Sequence, residues 1–189
     1  MRHFLILAAA LALPVAPALA DEGTSRLTIG GDSYVAGSDA VSGAVTGDLF
    51  AAGSTVTVDQ PVGGTAHLAG RRLAVEAPVA GGLYAAGYSI DVNSAITGGA
   101  SLFGSEVVVN APVTGNIRIF GADVTLSAPV EGAALLTGSK LRLDAPISGD
   151  VIITADDVSF GSEATVAGTL TLYVDDADEI TVPGRVAPA

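Results

Sequence analysis

The chain has no cysteine and no tryptophan, and only 5% of its residues are aromatic. The absence of cysteine excludes disulfides, thiolate metal sites and cysteine nucleophiles. Basic residues are also scarce: 8 Lys and Arg stand against 20 Asp and Glu, which gives a net charge of −12. Phosphate backbones and anionic lipid surfaces both attract basic proteins, so this balance argues against a nucleic-acid partner and against an anionic membrane surface.

Long apolar runs are missing except at the N-terminus. There, Phe4–Leu13 follows Arg2, and Ala18-Leu19-Ala20 supplies the small residues that signal peptidase reads. The run is shorter than the ~20 residues of a membrane-spanning helix. We therefore expect residues 1–20 to be a signal peptide cleaved after Ala20, and a mature chain that has no membrane span and is periplasmic or secreted. Loss of Arg2 leaves 7 basic residues against 20 acidic ones, a charge of −13.

Glycine, in contrast, is abundant, and much of it is periodic. Glycines recur every 17 residues, seven times without a slip, at Gly47, Gly64, Gly81, Gly98, Gly115, Gly132 and Gly149. In the first six copies a second glycine follows six residues later, and two columns of aliphatic residues keep the same register. A short, fixed period of this kind is the signature of a solenoid.

Within each unit the apolar residues alternate with a period of two, as in Glu106-Val-Val-Val-Asn110. Such alternation, interrupted by Gly and Pro, indicates short strands joined by corners. Glycine at a corner allows a positive φ and a close approach of the backbone. The sequence thus predicts an all-β fold, a right-handed parallel β-helix of about nine short coils over residues 31–182. Residues 21–30 form a lead-in and residues 183–189 a flexible tail.

The stacked columns can be tested for core packing within the sequence itself. Where Leu49 stands two residues after the corner glycine, Ala51 stands four residues after it, and in the next copy Ala66 and Leu68 exchange sizes. Such compensation is expected of two inward positions that share a fixed core volume. The decisive requirement is that Val107, Val124 and Leu141 are consecutive neighbours in one interior column.

Function must then lie on outward residues. An apolar strip formed by Phe50, Tyr84, Phe103 and Phe120 is the candidate partner-binding surface, because exposed apolar patches commonly mark contact sites. No catalytic residue, metal site or cofactor is predicted. The mature chain has one histidine, His67, with no Ser or Asp partner fixed beside it, and a catalytic triad is defined by such geometry.

Two of the repeat units are Gly47-Asp-Leu-Phe-Ala-Ala-Gly-Ser-Thr-Val-Thr-Val and Gly115-Asn-Ile-Arg-Ile-Phe-Gly-Ala-Asp-Val-Thr-Leu. Such units resemble those of the bactofilins, polymer-forming β-helical cytoskeletal proteins of bacteria. The resemblance spans about residues 31–182. It implies nucleotide-independent, end-to-end assembly into filaments that scaffold envelope enzymes. Bactofilins are typically cytoplasmic, so the signal peptide makes this chain an exported variant.

The unpaired strand edges at the ends of a β-helix also favour self-association. The expected function is therefore an exported, non-enzymatic scaffold of the cell envelope that polymerises with itself through its terminal coils. The alternative is a binding module that recognises an envelope glycan or protein through the aromatic strip.

Overall fold

The computed structural model describes residues 23–174 and 180–186, and within these ranges the chain is all β, without a helix. The strands are β1 Ser25–Ile29, β2 Asp32–Val41, β3 Leu49–Val58, β4 Ala66–Val75, β5 Leu83–Val92, β6 Ala100–Phe103, β7 Glu106–Val109, β8 Ile117–Phe120, β9 Asp123–Leu126, β10 Ala134–Leu143, β11 Pro146–Ile147, β12 Val151–Phe160, β13 Thr165–Val166 and β14 Leu170–Tyr173.

Every strand from β2 onwards pairs in parallel with its counterpart one coil away. Leu49 faces Ala66, Ala66 faces Leu83, and Leu83 faces Ala100, so the 17-residue period is the stacking period. Each coil has three sides: a first face, a second face, and a third side formed by a single bridging residue. The fold is a β-solenoid of about 8 turns. The sequence predicted about nine coils; nine parallel strands lie on the first face, and eight turns separate the first of them from the last.

The core fills the space between the three sides and consists almost entirely of aliphatic side chains. Val107 pairs with Val124 and Val124 with Leu141, and all three are buried, so the decisive requirement is confirmed. The size-compensated pair Leu49 and Ala51 is buried as well. The third side contributes one inward residue per coil, which bridges to the next coil from Val45 through Val62, Val79, Ile96, Val113 and Val130 to Ile147.

The seven periodic glycines lie at the corners because no side chain fits there. A Cβ on Gly81 would lie 2.6 Å from the carbonyl carbon of Gly64, and one on Gly98 would lie 2.7 Å from the carbonyl oxygen of Gly81. Of the two properties that glycine offers at a corner, positive φ is not the one used: within the described chain it occurs at Gly30, Gly31 and Gly43, none of which is one of the seven. Close approach of consecutive backbones, rather than left-handed conformation, is what requires glycine.

Short polar side chains next to the corner glycines bond to the following coil. Asp48 Oδ1 accepts from the backbone N–H of Thr65 at 2.7 Å, and Asn116 Oδ1 accepts from that of Ala133 at 2.8 Å. Such bonds satisfy N–H groups at the corner, where the ladder is interrupted. Asp32 and Asp150 accept from the next coil in the same way, so several of the acidic residues are structural.

A wider corner occurs late in the chain, where two additional residues separate Phe160 from Thr165. Asp144 holds this corner: its Oδ1 accepts from the N–H of Glu163 at 3.0 Å, and its Oδ2 pairs with Arg142 at 2.8 Å. These two hydrogen bonds to the ionised carboxylate lower the pKa of Asp144 below its ordinary value of 3.8.

The N-terminal end of the solenoid is covered. β1 turns back at Gly30 and pairs antiparallel with the first half of β2, so the free edge of the first coil is occupied. Arg26 lies across this end and donates to the carbonyl oxygens of Val41 and Ser42. The part of the lead-in that the structure describes therefore caps the N-terminal end of the rod.

The C-terminal residues differ from the expected flexible tail. Val186 is fully buried, and its carbonyl accepts from the N–H of Val166 at 2.9 Å. Pro183–Val186 forms a turn that packs an apolar side chain against the last core residues of the third side. Composition suggested a loose end, but Val186 is buried and Arg185 donates to the carbonyl oxygens of Gly161 and Ser162. Residues 187–189 and the predicted signal peptide lie outside the described residues.

Candidate functional site

The first face carries a continuous file of stacked aromatic side chains, which we call the aromatic file. It consists of Tyr34, Phe50, His67 and Tyr84, one from each of four successive coils. Ring centroids are 4.9, 4.6 and 5.2 Å apart along the file, and neighbouring planes differ by 6°, 2° and 4°. Because the parallel register repeats each outward position at about 4.8 Å, the side chains are stacked by the backbone itself.

The predicted strip is divided between two neighbouring files. Phe50 and Tyr84 belong to the aromatic file, whereas Phe103 and Phe120 stack on each other two residues further along the strand, at 5.2 Å and 1°. All four lie on the same face, as predicted. Tyr84, Phe103 and Phe120 are exposed to 53%, 48% and 37%.

Sequence reasoning missed the role of Tyr34 and of His67. Tyr34 pairs with Phe50 across 16 residues instead of 17, so the strict period assigns the position to Ser33. Counting back from Gly37, which pairs with Gly53, would have placed Tyr34 in the file. His67 was judged only as a catalytic candidate, although its ring stacks between Phe50 and Tyr84.

Beside the aromatic file runs an apolar groove of about 760 Å³, which we call the alanine groove. The rings form its side wall, and small outward residues form its floor: Ala36, Ala52, Ala69 and Ala86. Phe103 continues the floor column with a large ring and closes the C-terminal end of the groove. The β1 residues from Ser25 to Leu27 close the other end.

The first face is free of carboxylates although the chain is strongly acidic. It has two outward positions per coil, and over nine coils none of these holds Asp or Glu: Tyr34, Ala36, Phe50, Ala52, His67, Ala69, Tyr84, Ala86, Ser101, Phe103, Arg118, Phe120, Leu135, Thr137, Ile152, Thr154, Thr171 and Tyr173. The second face, in contrast, carries Asp91, Glu106, Asp123 and Asp157. An apolar ligand on the first face would thus cover no outward carboxylate, whose desolvation would oppose binding.

Ring orientation decides what the aromatic file can recognise. A sugar packs its C–H groups on the negatively polarised face of an aromatic ring. The faces of Phe50 and His67 are covered on both sides by the neighbouring rings, so solvent meets ring edges. The two inner rings therefore offer their edges rather than their faces to a ligand, whereas Tyr34 and Tyr84 stack on one aromatic neighbour each.

No group of three or more His, Asp or Glu side chains suited to a metal ion occurs in the described part of the chain. The ring of His67 stacks between those of Phe50 and Tyr84. The non-enzymatic role stays a prediction.

The described ranges contain no helix long and apolar enough to cross a membrane.

Comparison with known proteins adds no further assignment. No protein-family model, no curated protein and no solved structure matches the chain. The resemblance to bactofilins accordingly stays a prediction, and what is established is a parallel β-solenoid with a carboxylate-free aromatic face.

Proposed function

We propose that the protein is an exported, non-enzymatic structural rod of the bacterial envelope that self-associates at its C-terminal end. The carrying observation is the incomplete burial of the last coil. Leu170 and Leu172 are inward by register, yet both are partly exposed, while Val151 and Ile153 one coil earlier are fully buried. Among the described residues no strand follows β14, and an apolar core that ends in this way favours a second copy that covers it.

The two ends of the rod are unequal, and this affects the expected assembly. At the N-terminal end β1 occupies the first edge, and it is a short strand that carries a charge, as protected edges do. Within the described ranges the C-terminal coil is where inward core positions are incompletely covered, and this favours pairs joined at their C-terminal coils. The longer polymers that the bactofilin resemblance implies would require the N-terminal cap to open.

Sedimentation velocity of residues 21–189 over a range of concentrations tests this proposal. We expect a dimer that dissociates in Leu172→Lys, since this substitution places a charge in the apolar end surface. The matched control is Thr154→Lys, which adds the same charge on the outward first face one coil earlier and should leave the dimer intact. A wild-type protein that stays monomeric at several hundred micromolar would overturn the proposal.

A second candidate function, a binding module, is favoured by the carboxylate-free first face. Here the aromatic file and the alanine groove are the docking surface for a partner of the rod. The double substitution of Phe103→Ser and Phe120→Ser should abolish partner binding and leave self-association unchanged, because both side chains are outward. Unchanged partner binding in the double variant would count against the module.

A further inference from the structure

We propose that the first face is a pairing surface for a second copy of the same rod, with the two rods side by side and parallel. This inference rests on the binding-module candidate and names the partner of that surface. It concerns a different surface from the C-terminal coil, so the lateral pair and the C-terminal dimer form independently of each other.

The outward side chains of the first face alternate in size. Each coil presents two of them, two residues apart on one strand. In the first four coils the first is an aromatic ring and the second is alanine, and in the fifth coil, with Ser101 and Phe103, the order reverses. A larger and a smaller residue share every coil of this face except the sixth, where Arg118 and Phe120 are both large.

A twofold axis parallel to the rods turns this alternation into a fit. Such an axis, placed between the two rods, leaves each coil at its own height and sets its first outward position opposite the second outward position of the other copy. Phe50 of one copy then lies over Ala52 of the other, and the reverse contact is identical, as in any isologous interface. One large and one small side chain fill the spacing of about 10 Å between packed sheets. The aromatic file of each rod thus occupies the alanine groove of the other.

The opposite orientation of the second rod does not fit. A twofold axis across the rods would set each outward column against itself, with the order of the coils reversed. Phe50 would then meet Ile152, and His67 would meet Leu135, so large side chains would face each other. Close-packed surfaces tolerate neither overfilling nor voids. The side-chain sizes therefore favour the parallel pair.

Charge also favours pairing on the first face. Two mature chains of net charge −13 repel each other, but in the described coils no carboxylate points outward from this face. In the sixth coil Arg118 would lie over the exposed ring of Phe120 of the other copy, a cation–π arrangement that occurs twice in the pair. The exception to the size alternation is thus a favourable contact.

The area of the face suits a weak pair. Nine coils at the interstrand spacing are about 43 Å long and a four-residue strand is about 13 Å wide, which gives about 550 Å² per copy. The sum of about 1,100 Å² exceeds the ~1,000 Å² expected of a specific interface and is below the usual ~1,600 Å². We therefore expect lateral pairs only at several hundred micromolar, above the concentrations at which the C-terminal dimer forms.

Cross-linking of single-cysteine variants of residues 21–189 tests the inference, because the chain has no cysteine of its own. In the parallel pair the two copies of Ala36 lie about 12 Å apart, given a sheet spacing of about 10 Å and an offset of about 6.7 Å along the strand. A short bismaleimide should therefore link Ala36→Cys to itself at several hundred micromolar. The matched control is Arg72→Cys, which is exposed on the second face and should stay unlinked. The yield should not change when Leu172→Lys is also present.

A second pair of variants tests the fit of the two surfaces. Ala52→Glu places a carboxylate and a longer side chain under Phe50 of the other copy, and should lower the yield of linked Ala36→Cys at least about tenfold. Ala74→Glu makes the same change outward on the second face and should leave the yield unchanged. Equal urea midpoints would show that both variants are folded.

Five results would overturn the inference. Three are an unlinked Ala36→Cys, an equal yield for Arg72→Cys, and a full yield in Ala52→Glu. The fourth is loss of the link in Leu172→Lys, which would assign the contact to the C-terminal coil. The fifth is linking of Ala36→Cys to Tyr173→Cys in place of itself, which would show an antiparallel pair.

The failure of the proposals on which the inference depends looks different. If Ala36→Cys stays unlinked but another protein still depends on Phe103 and Phe120 for binding, the binding module stands and the second copy is the wrong partner. If the link forms in a protein without a C-terminal dimer, the lateral pair stands and the end contact is wrong.

Discussion

The substitution Gly81→Ala tests the physical reason for the 17-residue period. The added Cβ would lie 2.6 Å from both the carbonyl carbon and the carbonyl oxygen of Gly64, and 2.8 Å from the nitrogen of Thr65. These neighbours are backbone atoms, so relief requires the two coils to separate locally by several tenths of an ångström. Two hydrogen bonds of 2.9 Å join the coils at this corner, from Gly81 N–H to Gly64 and from Ala80 N–H to Val62.

The expected cost follows from those two contributions. Loss of two hydrogen bonds removes about 1–3 kcal/mol, and a methyl group forced into packed surroundings costs about 1–3 kcal/mol. Separation of the coils relieves the steric strain and breaks the same hydrogen bonds, so the two free-energy costs are not additive. We expect a total loss of stability of about 2–4 kcal/mol. Urea unfolding followed by circular dichroism measures the loss as a lower midpoint.

Two control variants separate this effect from the general cost of changing glycine. Gly184→Ala meets no atom within 4 Å, and at Gly82 the nearest atom to an added Cβ is 3.2 Å away. We expect a graded series, with Gly184→Ala near the wild type, Gly82→Ala intermediate and Gly81→Ala lowest. If Gly81→Ala unfolds at the same urea concentration as Gly184→Ala, close backbone approach is not the reason for the periodic glycines.

Two further predictions concern the ends of the rod and its one wide corner. Arg26→Ala should lower the free energy of unfolding in urea by about 1–2 kcal/mol, because two hydrogen bonds from a charged but exposed donor are lost. The control Arg118→Ala should have little effect. Equal urea midpoints for the two variants would argue against the cap. Asp144→Asn tests the lowered pKa of that carboxyl: the stability it contributes is present above an unfolded-state pKa of about 3.8 and is lost as the pH falls through the folded value. The gap in urea midpoint between wild type and Asp144→Asn should thus be full at pH 7 and close below pH ~4, and a gap that does not change with pH would contradict this account.

The architecture could be predicted from the sequence because each coil fixes the register of the next. A parallel ladder fixes each residue directly against its counterpart, so a repeat such as Val107, Val124 and Leu141 states the register without any further information. Alternation assigned the inward and outward sides, and the four strip residues accordingly lie on the predicted face.

The ends could not be read in this way, because they are where the repeat stops. β1 is antiparallel and shares no column with the coils, so nothing in the period identifies it as a cap. The carbonyl of the buried Val186 accepts from Val166 as that of Pro146 accepts from Val130, but Val186 lies 20 residues after Val166, outside the 17-residue period. The alanine groove was missed for another reason. Its floor consists of exposed alanines, and a column of alanines is a weaker sequence signal than a phenylalanine.

The three sides of each turn are held together unequally. On the first two sides β3 and β4 are aligned along ten residues each, whereas the third side contributes the single bridge from Val45 to Val62 and its repeats. We therefore expect the first two sides to be stiffer than the third. When the solenoid is bent, the coils should separate along the third side, at Val62, Val79 and Ile96. The carboxylate-free first face should keep its shape.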